Sequence, residues 1–193
     1  MIDWSEVEKK IKTISIFETF KAHIDLEELA TIKEHHEQMN ENSLIQTKLF
    51  EKIETLGMSA SENSLFLLLV ILYLTEGPIS LAINIFIYTL MLRGHHDIWF
   101  EEKQKFVSSF DELFSVSLSV KLKFLKKHGF GFMPEICSRE IRNAVAHQDF
   151  KIEPDGTVYT MKDGKIYSKF TKKDLTEKIE NALRLIELLA EIK

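Results

Sequence analysis

The sequence predicts an all-α fold, a helical bundle with one small β-hairpin inserted before the C-terminal helix. Three observations predict it. Apolar residues recur at intervals of three and four along most of the chain, strict alternation is confined to about residues 150–170, and 193 residues include only three prolines and seven glycines. A chain of this length buries a sizeable core within one unit. We therefore expect a single domain over residues 1–193.

The first sixty residues have the periodicity of amphipathic helices. Trp4, Val7, Ile11 and Ile14 step by three and four, and residues 26–39 and 49–56 repeat the pattern. This region predicts two or three helices. Ser61 or Ser64 is then expected to cap the next helix, because a serine side chain can accept a hydrogen bond from the first free amides.

The most apolar part of the sequence is residues 65–92. Glu76, Gly77 and Pro78 divide it into one run of ten residues and one of fourteen. Each run is shorter than the roughly 20 residues that cross a bilayer, and Asn84 interrupts the second run. The pattern favours two helices buried in the core or in an interface over a pair of membrane helices.

The second half of the chain predicts two further helices, a hairpin and a last helix. Residues 106–125 keep a Phe and Leu repeat at helical spacing up to "KKHGFG", and Pro134 suits the first turn of the helix that follows. Residues 150–170 alternate around "PDG" and "KDG", which predicts a hairpin or a three-stranded meander. Thr171 with Asp174 resembles a capping box that begins the last helix.

Charge and cysteine content narrow the classes of function. The net charge of −5 argues against a protein that coats nucleic acids without selection. Residues 121–193 nevertheless carry 15 basic and 11 acidic side chains, so the C-terminal part of the chain is locally positive. A single cysteine forms no internal disulfide, and the N-terminus lacks the pattern of a signal peptide. We expect a cytoplasmic protein.

One short motif carries the chemistry. The segment "IRNAVAHQDF", residues 141–150, places Arg142 five positions before His147 on a predicted helix, with Asn143 directly after the arginine and small residues before the histidine. An arginine and a histidine at this spacing are weak evidence alone. Their context, a helix in an otherwise helical chain followed at once by a hairpin, makes the motif more specific.

This combination resembles the HEPN superfamily of helical-bundle domains, whose nuclease members carry arginine, a polar residue, three further residues and histidine. The specific part of the resemblance covers about a dozen residues around Arg142 and His147. It implies a homodimer that cleaves RNA without a metal or other cofactor, and frequent roles in toxin–antitoxin systems or anti-phage defence. An antitoxin or another defence protein is therefore an expected partner, and no membrane is expected.

Helix geometry explains why one copy of the motif supplies half a site. A helix turns about 100° per residue, which puts Asn143 and His147 about 40° apart, Glu140 about 20° beyond His147, and Arg142 about 140° from His147. Two such helices facing across a twofold axis allow each histidine to approach the arginine of the other subunit. The small residues Ala144 and Ala146 would let the two backbones come close.

The implied reaction is attack of a ribose 2′-hydroxyl on its own 3′-phosphate, with release of the 5′-oxygen. Histidine titrates near neutrality and acts as general acid or base. Arginine stays charged and presents a planar fork of donors to phosphate oxygens. The expected catalytic residues are Arg142 and His147. Asn143 is expected to position the substrate or to contact phosphate. Glu140 is expected to orient His147 or to pair with Arg139 or Lys126, and the basic helix end contributes two supporting cations, Lys126 and Lys127.

Other patterns have weaker interpretations. "EHHEQ" around His36 lacks the second histidine of a zinc-protease helix, and "GHHD" at residues 94–97 has adjacent side chains that rarely converge on one ion. No metal site is predicted. Cys137 is interpreted as a buried thiol. HEPN toxins paired with a nucleotidyltransferase commonly have a tyrosine two residues after the histidine, where this chain has Asp149, so that mode of control does not carry over.

Two functions from different classes stay open at this point. The first is a dimeric ribonuclease that uses Arg142 and His147 from both subunits. The second is a HEPN-like module without catalysis, in which the same residues tie helices together or hold a nucleotide or RNA. A membrane-associated defence protein is a distant third.

Overall fold

The fold is known from a computed structural model that describes residues 2–13 and 57–191, with six isolated helical positions between them (19, 22, 30, 33, 34 and 37). Of the described residues, 65% are helical and 12% lie in strands. The mainly helical class is therefore confirmed, with two small sheets. Of the helix predicted over residues 26–39 only positions 30, 33, 34 and 37 are described, and the helix predicted over residues 49–56 and His36 lie outside the described residues.

Eight α-helices are described, namely α1 (Trp4–Thr13), α2 (Ala60–Glu76), α3 (Pro78–Leu92), α4 (Phe110–Ser115), α5 (Leu118–Lys127), α6 (Met133–Ile136), α7 (Arg139–His147) and α8 (Lys172–Glu191). The strands are β1 (Trp99–Phe100), β2 (Lys105–Phe106), β3 (Phe150–Ile152), β4 (Val158–Lys162) and β5 (Lys165–Phe170). A 3₁₀ turn, Glu101–Lys103, joins β1 to β2. The motif helix α7 thus lies between a short helical turn and the larger sheet.

The cap of α2 differs from the one predicted. Ser59 begins the helix, since its hydroxyl accepts a hydrogen bond from the Glu62 amide at 3.3 Å and the Glu62 carboxylate accepts one from the Ser59 amide at 2.8 Å. This reciprocal pair is a capping box. Ser64 is instead buried and donates to the Gly156 carbonyl at 2.6 Å. The prediction of Ser61 or Ser64 as the cap was wrong.

The break predicted at residues 76–78 is only one residue long. Gly77 alone separates α2 from α3, and the Leu81 amide donates to the Gly77 carbonyl at 3.0 Å. Pro78 lacks only an amide that the first turn of a helix leaves unpaired, so the second helix begins at once. Residues Ala60–Leu92 together are long and apolar enough to cross a membrane by length and composition, although 44% of their most apolar window is buried.

Helix α3 forms the centre of the larger core. Ile83, Phe86 and Ile87 have no exposed surface, and Phe86 packs against Phe130 with ring centroids 5.4 Å apart. Burial on this scale is typical of a core helix in a globular protein.

The single long helix predicted over residues 106–125 is two helices. Ser109 caps α4 and Ser117 caps α5, each hydroxyl accepting from an amide three residues on, and Val116 between them is extended. Phe106 lies in β2 and packs edge-to-face on Trp99. The prediction failed because the apolar spacing continues unchanged across the break. The hydrophobic repeat therefore gave no indication that two serines cap separate helices.

The sheet after α7 is an antiparallel meander in the order β3-β4-β5, which confirms the alternating pattern over residues 150–170. Asp163 and Gly164 connect β4 to β5 with φ of 52° and 73°, the left-handed pair that a tight two-residue hairpin requires. The predicted capping box of the last helix is also present: the Asp174 amide donates to Thr171 Oγ1 at 3.3 Å, and the Thr171 amide to Asp174 Oδ2 at 2.7 Å.

The turn between β3 and β4 depends on Gly156. Its φ is +83°, and a Cβ built there would lie 2.8 Å from the Ala60 carbonyl oxygen. We expect Gly156→Ala to lower the free energy of unfolding by about 1–3 kcal/mol, because left-handed strain and contact with a backbone atom both oppose the side chain. Urea unfolding followed by circular dichroism measures it. Gly164→Ala, whose Cβ meets nothing within 4 Å, is the control for strain alone and should cost less.

Candidate functional site

The motif helix α7 is fixed by its apolar face. Ile141 has no exposed surface and Val145 is 9% exposed, and both pack with Leu68 and Ile71 of α2 in the second core cluster. Ala144 is also buried, at 6%. Ala144 is therefore already covered within its own chain, whereas Ala146 is exposed and stays the residue at which a second helix is expected to come close.

The C-terminal end of α7 is anchored to the neighbouring sheet. Gln148 adopts φ of 58° and ends the helix, and the Asp149 amide donates to the Ala144 carbonyl at 2.8 Å. The Met161 amide of β4 then donates to the Asp149 carbonyl at 2.7 Å. His147 lies directly before this anchored turn and is exposed. Its backbone is held from two sides while its side chain faces solvent.

His147 lines an open groove with a volume of about 760 Å³. Glu140 and Asn143, also on α7, line the same groove, as the helical spacing predicts. The other walls come from α5, α8 and the β4–β5 hairpin. This volume lies within the range of about 300–1,000 Å³ typical of small-ligand sites. The groove has space for one or two nucleotides.

The groove is positively charged although the protein is acidic. Seven charged side chains line it: two carboxylates, Glu140 and Asp149, and five cations, Lys123, Lys126, Arg139, Lys162 and Lys178. A concave surface with an excess of cations concentrates anions, phosphates among them. The predicted supporting residue Lys126 is one of these cations, so the local charge excess of the C-terminal third is gathered at His147.

Arg142 points to the other side of α7. It is not among the residues that line the groove, its Nε donates to the Glu76 carboxylate on α2, and its Nη1 donates to Asn143 Oδ1 at 3.0 Å. The Arg142 side chain is 32% exposed. One chain therefore does not place the guanidinium and the imidazole on one surface. Asn143 links the guanidinium to the groove, since its Oδ1 accepts a hydrogen bond from Arg142 and its side chain is part of the groove lining.

Glu140 has a hydrogen-bond partner in the sheet. Thr160 of β4 donates from Oγ1 to Glu140 Oε1 at 2.7 Å. Thr160 is 2% exposed and Glu140 is half-buried. This bond holds the carboxylate at the wall of the groove, and it ties α7 to the strand that carries Lys162.

Lys127 lies outside the groove. It pairs with Asp97, whose carboxylate also contacts His128 Nε2 at 2.9 Å. The Lys127 ammonium lowers the pKa of Asp97, and the His128 contact adds to that shift. The "GHHD" segment therefore joins the end of α3 to the end of α5. Within the described ranges no group of three or more His, Cys, Asp and Glu side chains is arranged to hold a metal ion.

Two ionisable groups near α7 are buried. Burial raises the pKa of the Cys137 thiol to about 12, and its lack of exposed surface confirms the interpretation as a buried thiol. Such a thiol stays protonated at neutral pH and is a poor nucleophile. Burial also lowers the pKa of Lys121 on α5 to about 8, against an opposing effect of Glu76. Lys121 is 4% exposed and does not line the groove.

Several groove residues were not predicted from sequence. Arg139, Lys162 and Lys178 lie on three separate elements, and Tyr167 is an exposed aromatic residue of β5. The only sequence signal for these three cations was the excess of basic residues over residues 121–193.

Comparison with family models, curated proteins and solved structures found no match for this chain.

Proposed function

We propose that this chain is a metal-independent endoribonuclease with an HEPN-like helical bundle. The observation that carries the proposal is the placement of His147, exposed at an anchored helix end and facing a groove with five cations. An imidazole in such a groove can exchange a proton with a ribose hydroxyl or a leaving oxygen. The surrounding ammonium and guanidinium groups attract the phosphodiester.

The reaction is an internal transfer within RNA. The 2′-oxygen forms a bond to the adjacent phosphorus while the bond from phosphorus to the 5′-oxygen breaks. The proton of the 2′-hydroxyl goes to a base, and an acid donates a proton to the departing 5′-oxygen, which leaves a 2′,3′-cyclic phosphate and a 5′-hydroxyl. At each site of the dimer one His147 serves one of the two proton transfers and a water molecule serves the other, so no metal is needed.

A dimer accounts for Arg142. Within one chain Arg142 and His147 lie on different surfaces of α7, so a twofold pairing would supply the arginine of one subunit to the groove of the other. Glu76 and Asn143 hold the guanidinium in one orientation, which favours a preorganised cation over a mobile one. The proposed partners are RNA and a second copy, with an antitoxin or defence protein as a regulator in the cytoplasm.

The test is cleavage of a mixed RNA pool by purified protein in excess chelator. We expect cleavage to fall about 10²- to 10⁴-fold in His147→Ala, the range that general acid or base catalysis supplies. His96→Ala, an exposed histidine outside the groove, is the matched control and should keep full activity. RNA with 2′-deoxy substitutions should resist cleavage. Equal cleavage by the wild type and His147→Ala would exclude this function.

A second candidate rests on the Glu76–Arg142 pair. An arginine bonded to a neighbouring helix in its own chain ties α7 to α2, which is the role expected of a binding module without catalysis. In that case the groove holds RNA or a nucleotide and leaves it intact. Binding of RNA without cleavage at every enzyme concentration tested would favour this candidate.

A further inference from the structure

The hairpin side of the groove carries an aromatic side chain that the proposed reaction does not use. Tyr167 lies on β5, lines the groove with His147, and is 62% exposed. Exposure of a single large side chain is ordinary on a protein surface. Tyr167 differs from the other exposed residue of its strand, Ile166, because its ring lies in the wall of the cationic groove, where a ligand would contact it.

Two lysines line the groove together with this ring. Lys162 Nζ of β4 lies over one face of the Tyr167 ring, 5.7 Å from its centre, across the hairpin turn at Asp163 and Gly164. Lys178 of α8 forms part of the same groove, with its Nζ 5.7 Å from the ring of Phe170. An exposed ring in a groove lined by ammonium groups is the combination that binds single-stranded nucleic acids, in which bases stack on aromatic side chains and cations follow the phosphates.

We propose that Tyr167 is the residue on which a nucleobase stacks when RNA occupies the groove, so that the protein selects an unpaired nucleotide next to the phosphate at His147. The inference rests on the proposed function only in taking RNA as the ligand. The groove volume of about 760 Å³ accommodates one or two nucleotides. A base held in a duplex is already stacked on its neighbours and offers no free face to the ring.

The hairpin supplies a matched control for Tyr167. Ile166 precedes it on β5, is 64% exposed and does not line the groove. Replacing either residue by alanine removes a similarly exposed side chain from the same strand. Only Tyr167→Ala should affect RNA binding, whereas general weakening of the hairpin would affect both variants alike.

The experiment measures binding of a fluorescent 2′-O-methyl RNA 12-mer, which cannot be cleaved, by anisotropy. We expect Tyr167→Ala to raise the Kd about 5- to 100-fold, the effect of losing one stacked base. Tyr167→Phe and Ile166→Ala should stay within about twofold of the wild type, since the first keeps the ring and the second leaves the groove intact. A blunt-ended 2′-O-methyl RNA duplex of the same length, which has no unpaired nucleotide, should bind more weakly than the single strand.

Cations of the groove give a second readout. Lys123→Gln with Lys126→Gln should reduce the dependence of log Kd on log salt by about 0.7 for each lost phosphate contact, the increment for single strands. Tyr167→Ala should leave that slope unchanged, because stacking releases no counterions. Equal losses in Tyr167→Ala and Ile166→Ala, or equal affinity for the paired RNA, would overturn the proposal.

Failure of this inference and failure of the nuclease are distinguishable. If RNA binding depends on Tyr167 but natural RNA is not cleaved, base stacking on Tyr167 is supported and the ribonuclease activity is excluded. If RNA cleavage depends on His147 but RNA binding is unchanged in Tyr167→Ala, the ribonuclease activity is supported and base stacking on Tyr167 is excluded. If the wild-type protein does not bind RNA, both the stacking role of Tyr167 and the ribonuclease activity are excluded.

Discussion

Mixing the His147→Ala and Arg142→Gln proteins should restore RNA cleavage that neither variant has alone. If each histidine works with the arginine of the other subunit, a mixed dimer contains one site with both wild-type residues and one site with neither. Each pure variant contains no intact site. We expect recovery of up to about a quarter of wild-type activity, because half of randomly formed dimers are mixed and each has one working site of two.

Glutamine is chosen at position 142 because its side-chain amide can still donate to Glu76, whose carboxylate would otherwise lose the partner it has in α7. The control mixes His147→Ala with the double variant Arg142→Gln/His147→Ala, in which no pairing yields an intact site. Cleavage rates are measured after subunits are exchanged in mild denaturant. If the first mixture stays as inactive as the control, both residues act within one chain and the shared site is wrong.

The secondary structure of the C-terminal half was largely predictable because its signals are local. The turn at Asp163 and Gly164 and the capping box of Thr171 and Asp174 each depend on residues close in sequence, and both are present in the fold. The break within the helix predicted over residues 106–125 was missed. The apolar face continues from α4 to α5, while the interruption depends on Ser117, an ordinary residue in a helical pattern.

The site was predictable only in part. Helical spacing placed Glu140, Asn143 and His147 on one surface, since that requires only the geometry of a helix. The cations Lys162 and Lys178 reach the groove from elements whose packing no short pattern specifies. The orientation of the Arg142 side chain was also not predictable from the motif, because its partner Glu76 lies 66 residues earlier in the chain. The residue that determines where the guanidinium points was outside the motif.

Replacing Lys121 by methionine should stabilise the protein by about 3 kcal/mol at pH 7. Lys121 is 4% exposed, and burial lowers its pKa from an ordinary 10.5 to about 8. At pH 7 the folded protein therefore holds a charged ammonium in an apolar environment, with the nearby Glu76 carboxylate offsetting only part of the desolvation. The difference between the two pKa values corresponds to about 3 kcal/mol. Methionine has a similar length and no charge, so it removes this penalty.

The sign of the pH dependence follows from proton binding. Below pH 8 the lysine is protonated in both the folded and the unfolded chain, and the folded state carries the full penalty. Between pH 8 and pH 10.5 the unfolded chain binds the proton and the folded chain does not, so the stability of the wild type rises with pH. The advantage of Lys121→Met should therefore be constant below pH 8 and shrink toward zero near pH 10.5.

Urea unfolding from pH 7 to pH 10.5, followed by circular dichroism, measures this difference. Lys123→Met is the matched control, since Lys123 is an exposed lysine two residues along the same helix. It should change the free energy of unfolding by less than about 0.5 kcal/mol, with no pH dependence relative to the wild type. An advantage of Lys121→Met that stays constant up to pH 10.5 would show that Lys121 holds its proton when folded, and that its charge is paired well enough to offset burial.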